Sequence, residues 1–165
     1  MGYRIKQGFR EKTRQTLESL RDATAKTVSD AKLLEFANLS VMLDLPIDDL
    51  PKLFNAAMKL GHALGIDSEA AIRALAIGVG RQSRLVLDNI GVVFKAKDAY
   101  DWFKHEHPDK AFDRVEAWKR YALEQINAKA AMLGNAAKSK IRLERLDARL
   151  QDGRARIGEK VLQYV

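Results

Sequence analysis

Apolar residues recur along this chain at helical spacing, and short polar, glycine or proline interruptions cut them into segments. From Tyr3 to about Thr27 they are sparse. Ile5, Phe9, Leu17, Leu20 and Val28 trace one loose stripe among alternating charges, which predicts an exposed helix that needs a partner. Ser29 is placed to cap a second helix reaching Leu43, where Leu33, Leu34, Phe36, Ala37, Leu39, Val41 and Met42 cover much of the circumference. That breadth predicts burial on more than one side.

Leu45-Pro46-Ile47-Asp48-Asp49-Leu50-Pro51 is the first strong interruption, because Pro46 disfavours helix at Leu45 while Pro51 suits a helix's first turn. A helix capped by Asp48 or Asp49 should then run to Leu64 on the stripe Leu50, Leu53/Phe54, Ala57, Leu60/Gly61. Gly61 marks a place for close approach by a neighbour, and Gly65 a left-handed terminator. Asp67 caps the next helix, with Ala71, Ile72, Leu75, Ala76 and Val79 on its face, and the short connection predicts a helical hairpin.

Between Gly78 and Phe94 the pattern breaks. Gly78 and Gly80 each cost about 1 kcal/mol relative to alanine inside a helix, so they predict helix termination, tight packing or both. Ser83 can cap a short helix anchored by Leu85, Leu87 and Ile90, and Gly91 can end it at positive φ. Val92-Val93-Phe94 reads as a brief extended piece. Asp98 restarts helix until His107-Pro108-Asp109, and the capping box Asp113-Arg-Val-Glu116 opens a long helix to about Leu133 through Val115, Trp118, Ala122 and Ile126. Beyond Gly134 the chain is charge-rich. Leu143, Leu146, Leu150, Ile157 and Tyr164 form a heptad-like seam interrupted by Gly153 and Lys160, which predicts an imperfect coiled-coil strand.

The expected fold is all-α: a compact bundle over residues 33–134, a basic helical arm over 1–32 and a basic amphipathic extension over 135–165. With 165 residues, 47% hydrophobic content, 3 prolines and no cysteine, stability has to come from packing. No run approaches the roughly 18 to 20 apolar residues of a membrane span, and no secretion-type apolar segment follows the first residues. The formal charge of +7 belongs to the two ends, +4 in residues 1–32 and +4 in residues 135–165, against −1 in the centre. Such ends could meet an anionic partner, including non-specific contact with DNA phosphates.

Candidate chemistry is thin. Gly78-x-Gly80-x-x-Ser83 lacks the third glycine and the leading strand of a dinucleotide fingerprint, and Gly134-Asn-Ala-Ala-Lys138-Ser139 has alanine where a phosphate loop needs glycine. His105 and His107 are two apart, a spacing that does not point them the same way on a helix. The carboxylates of Asp48, Asp49, Asp67, Asp98 and Asp113 fall where helix starts need caps. Catalytic residues, metal and cofactor are therefore not expected, and Trp102, Phe103, Trp118 and Tyr121 read as core.

A resemblance attaches to the middle of the chain. Gly65-Ile66-Asp67-Ser68-Glu69-Ala70-Ala71, Gly78-Val79-Gly80-Arg81-Gln82-Ser83 and Leu87-Asp88-Asn89-Ile90-Gly91 resemble the core of tailed-bacteriophage tail tape-measure proteins. Leu45 to Leu50, Lys95 to Tyr100 and Trp118 to Gly134 are similar to its flanking elements, so the likeness spans about residues 39–134. Residues 104–112 depart from the usual turn. The resemblance implies a structural, non-enzymatic protein of the virion, lying in the tail-tube lumen and made in the host cytoplasm, that sets tail length and supports assembly and DNA ejection. It also implies tail-tube, tail-tip and tail-assembly chaperone proteins as partners. Parallel self-association of several copies, such as a trimer, fits the heptad seam. Even as one helix, 165 residues span only about 250 Å, so the chain is expected to be a segment or domain of a longer ruler. The rival expectation, from charge alone, is a basic helical module that binds nucleic acid or adapts an assembly.

Overall fold

The structure, a computed structural model, describes residues 2–133 and 138–163, with side chains placed for Glu11, 13–133 and 144–157. Among the described residues every regular element is helical. Eight α-helices follow in order: α1 Gly2–Ala23, α2 Asp30–Met42, α3 Leu50–Ala63, α4 Ser68–Gly80, α5 Arg84–Asp88, α6 Ala96–Glu106, α7 Arg114–Met132 and α8 Lys138–Gln163. A 3-10 turn, Ile47–Asp49, leads into α3. Val92-Val93-Phe94, expected as an extended piece, forms no strand and is an irregular link between α5 and α6.

Helix α3 is the axis of the bundle, packed by α1, α4 and α7. Its Leu50, Leu53, Phe54 and Ala57 are almost fully buried, each large side chain contributing about 1.5–3 kcal/mol by leaving water. Helix α6 covers α7, α2 covers α4, and Leu20, Val28, Leu33 and Phe36 from the first two helices belong to the same core. The α3–α4 hairpin closes as expected. Gly65 has φ 76°, and a Cβ on Gly61 would stand 2.5 Å from Ala71 Cβ, so the helices touch where glycine leaves room.

Helix starts follow local chemistry. Asp67 accepts from the Ala70 N–H at 2.8 Å, Asp113 from the Glu116 N–H at 2.8 Å, and Asp98 from the Lys95 N–H at 3.2 Å. Ser29 and Asp49 occupy cap positions without a side-chain cap bond. Of the aromatic residues expected in the core, Phe103 and Trp118 are buried while Trp102 and Tyr121 are half-buried: Phe94 lies 5.0 Å from Trp118 and 5.1 Å from Tyr121 between ring centres, and Trp102 lies 5.6 Å from Tyr121.

Two expectations of burial fail. Helix α2 is apolar around much of its circumference, yet Leu34, Val41 and Met42 are exposed, because the side facing the bundle runs from Leu39 through Phe36, Ser40 and Leu33 to Ala37 and stops there. On α7, Val115 is exposed while Trp118, Ala122 and Ile126 carry the buried face.

Candidate functional site

The Gly78–Gly91 stretch is the joint between α4 and α5, and its residues divide by role. A Cβ on Gly78 would come within 2.5 Å of Leu87 Cδ2 and 3.2 Å of the Leu87 backbone nitrogen, and one on Gly80 within 2.5 Å of Leu43 Cβ. Gly78 lies inside α4, Gly80 is its last residue, and both serve close packing, so helix end and tight packing coincide at Gly80. The residue that turns the chain left-handed is Gln82, at φ 53°, after Arg81 at the helix end.

The turn closes when the Ser83 N–H donates to the Gly78 carbonyl at 2.8 Å, and Ser83 Oγ accepts from the Val86 N–H at 3.4 Å to start α5. Leu87 and Ile90 are fully buried anchors; Leu85, expected beside them, is 84% exposed. Gly91, at φ 73°, presents its carbonyl to Lys129 Nζ of α7 at 2.7 Å, which ties the joint to the bundle. Arg81, Asp88 and Asn89 are exposed around it. The resemblance residues Gly65, Asp67, Gly78, Gly80, Ser83, Leu87 and Gly91 thus all have packing or helix-joining roles.

A second constellation joins residues far apart in sequence. His62 near the end of α3 and Ser68 at the start of α4 are buried, and Glu144 of α8 reaches both. Glu144 Oε2 lies 2.8 Å from His62 Nε2 and accepts from Ser68 Oγ at 2.5 Å, while Thr27 Oγ1 donates to Ser68 Oγ at 3.0 Å.

Serine, histidine and carboxylate together invite comparison with a catalytic triad, in which one imidazole nitrogen faces the nucleophile and the other the carboxylate. Here Ser68 and Glu144 both meet Nε2, the serine donates directly to the carboxylate, and only 1% of Ser68 is exposed. The geometry is that of a tether. No sequence signal marks it, since His62 and Glu144 are separated by 82 positions.

The tether helps to dock α8. Arg145 Nε donates to the Ala25 carbonyl at 2.8 Å, Asp152 Oδ1 accepts from the Asp30 N–H at 3.1 Å, and Ala148 is buried. Arg21 pairs with Asp30 at the same corner. At 100° per residue, Leu146, Leu150 and Ile157 fall on the side of α8 opposite Ala148, and each is more than half exposed. The expected seam is thus an outward ridge on one helix, with no paired strand among the described residues. Leu143 lies outside the described side chains and Tyr164 outside the described residues.

At the other end of the bundle an open groove of about 810 Å³ runs between the α2–α3 link and α7. Val41, Ile47 and Val115, nearly half exposed, share its lining with Leu45 and Leu123. Its cations are engaged: Lys119 Nζ donates to the Leu43 carbonyl at 3.1 Å and Arg120 pairs with Glu116 at 2.7 Å. The carboxylates of Asp44 and Asp49 on the rim have no partner among the described residues. No group of three or more metal-binding side chains occurs among the described residues, and no described helix is long and apolar enough to cross a membrane. Neither a protein-family model, nor a curated protein, nor a solved structure matches this chain.

Proposed function

We propose that this chain is a helical structural segment of a tailed-bacteriophage tail tape-measure protein. In that role it works inside the tail tube during assembly and cooperates with tube, tip and chaperone proteins. The observation that carries the reading is the Gly65–Gly91 stretch, which resembles that family and whose glycines and caps are spent on joining and packing helices. A scaffold needs such joints and needs no reaction centre. Exposed arginines on α8 suit an anionic surface, whether a tube lumen or passing DNA.

The test is genetic and morphological. In the phage that encodes it, an in-frame duplication of the coding segment should lengthen tails by a fixed increment, at most about 250 Å if all 165 added residues were helical and end to end. Electron micrographs showing tails of unchanged length around a stably incorporated longer product would overturn the ruler role. Binding to one defined DNA footprint at high salt, with no tail phenotype, would favour a nucleic-acid module.

A further inference from the structure

We propose that the acid-rimmed groove between the α2–α3 link and α7 receives the α8 ridge of a second copy of this chain. Three observations carry this, and none depends on a role in phage tails. The ridge Leu146, Leu150, Ile157 and the groove surfaces of Val41, Ile47 and Val115 are both apolar and both exposed. Their borders are opposite in charge. Arg149 and Arg156 flank the ridge on one side and Arg154, beside Asp147, on the other, a net positive border whose arginines have no ion pair among the described residues, while Asp44 and Asp49 border the groove.

The two surfaces also lie at opposite ends of the bundle. Helix α2 begins at Asp30, which touches α8, and finishes beside the groove at Val41; α3 begins beside the groove and finishes at His62, which touches α8. Their 13 and 14 residues separate the surfaces by about 20 Å. A chain with α8 docked cannot fill its own groove, so the partner is another copy and the contact is head to tail.

Pairing of α8 with another α8 fits less well. In a parallel pair along the Leu143–Leu150–Ile157 seam, Arg149 would face Arg154 of the other helix, and Gly153 would leave the seam unfilled. The groove offers carboxylates where that pairing offers like charge.

Two variants of the full chain separate these arrangements. Leu146→Asp/Leu150→Asp spoils the ridge and keeps the groove; Val41→Asp/Ile47→Asp spoils the groove and keeps the ridge. All four positions are exposed, and amide NMR spectra check that each variant folds. In sedimentation, the unmodified chain is expected to gain mass with concentration, each variant alone to stay monomeric, and an equimolar mixture to form a one-to-one heterodimer that grows no further. Self-association of the folded groove variant alone would overturn the proposal in favour of paired α8 ridges. A mixture that stays monomeric, or an unmodified chain that stays monomeric at millimolar concentration, would overturn it as well.

Discussion

Gly78 and Gln82 show how one joint uses residues in opposite ways. Gly78 has an ordinary helical backbone and is required for space, whereas Gln82 holds the left-handed backbone although it carries a Cβ. Glycine runs in a sequence announce an unusual backbone or close contact without saying which, because a neighbour such as Leu43 or Leu87 becomes visible only in three dimensions. Gly78→Ala should cost about 1–3 kcal/mol, since the fully buried Leu87 has little room to yield. Gly153→Ala on α8 meets nothing within 4 Å and should gain up to about 1 kcal/mol of helix propensity. Urea midpoints of the two variants are expected to move in opposite directions.

Glu69 adds a titration. Half-burial holds its carboxyl above the 4.5 of an unperturbed glutamate, with Lys32 pulling it down and Asp67 and Asp147 pushing it up. A carboxyl raised in the folded state binds its proton more tightly there than in the unfolded chain. Its contribution therefore favours folding below the unfolded value and is lost as pH rises through the folded value. NMR titration of Glu69 should give a midpoint above 4.5, lowered in Asp147→Asn and raised in Lys32→Met. A midpoint that ignores both substitutions would contradict this account.

At the scale of elements, helix starts were the most legible part of the chain. Caps at Asp67, Ser83 and Asp113 act within three residues, so their chemistry is written locally. Faces were less legible: α2 reads as broadly buried, yet its Val41 side lines an open groove, because periodicity shows where apolar residues stand and not what covers them. Helix α8 is the opposite case. The shared side of Leu146, Leu150 and Ile157 could be read from spacing, but the docking of the helix depends on Glu144, Arg145 and Asp152 meeting distant residues.

These polar anchors make α8 the separable element. Glu144→Ala removes the acceptor shared by His62 and Ser68 and should speed hydrogen exchange along α8 while α3 and α4 stay protected. Equal acceleration in all three helices would mean that the tether supports the whole core.

Over the whole molecule, the all-helical class was recoverable from periodicity and punctuation, whereas the central place of α3 was not. That place follows from apolar surface on nearly every side of α3 meeting α1, α4 and α7 at once. The tether, the groove and the ridge are likewise products of topology, joining residues whose separations along the chain carry no pattern. The outcome is a bundle that joins its first seven helices through one apolar core, while the described side chains of the eighth reach it through buried Ala148 and the hydrogen bonds of Glu144, Arg145 and Asp152.

The aromatic seam has an optical consequence. Trp102 and Trp118 are the chain's 2 tryptophans, and both stand with Phe94 and Tyr121 where α6 meets α7. Tryptophan emission therefore reports that seam and is blind to α8, which carries no tryptophan, while the 26 residues of α8 contribute to far-ultraviolet ellipticity. Ellipticity lost on heating before the emission maximum moves would record α8 melting away from a bundle that is still closed, with no label attached.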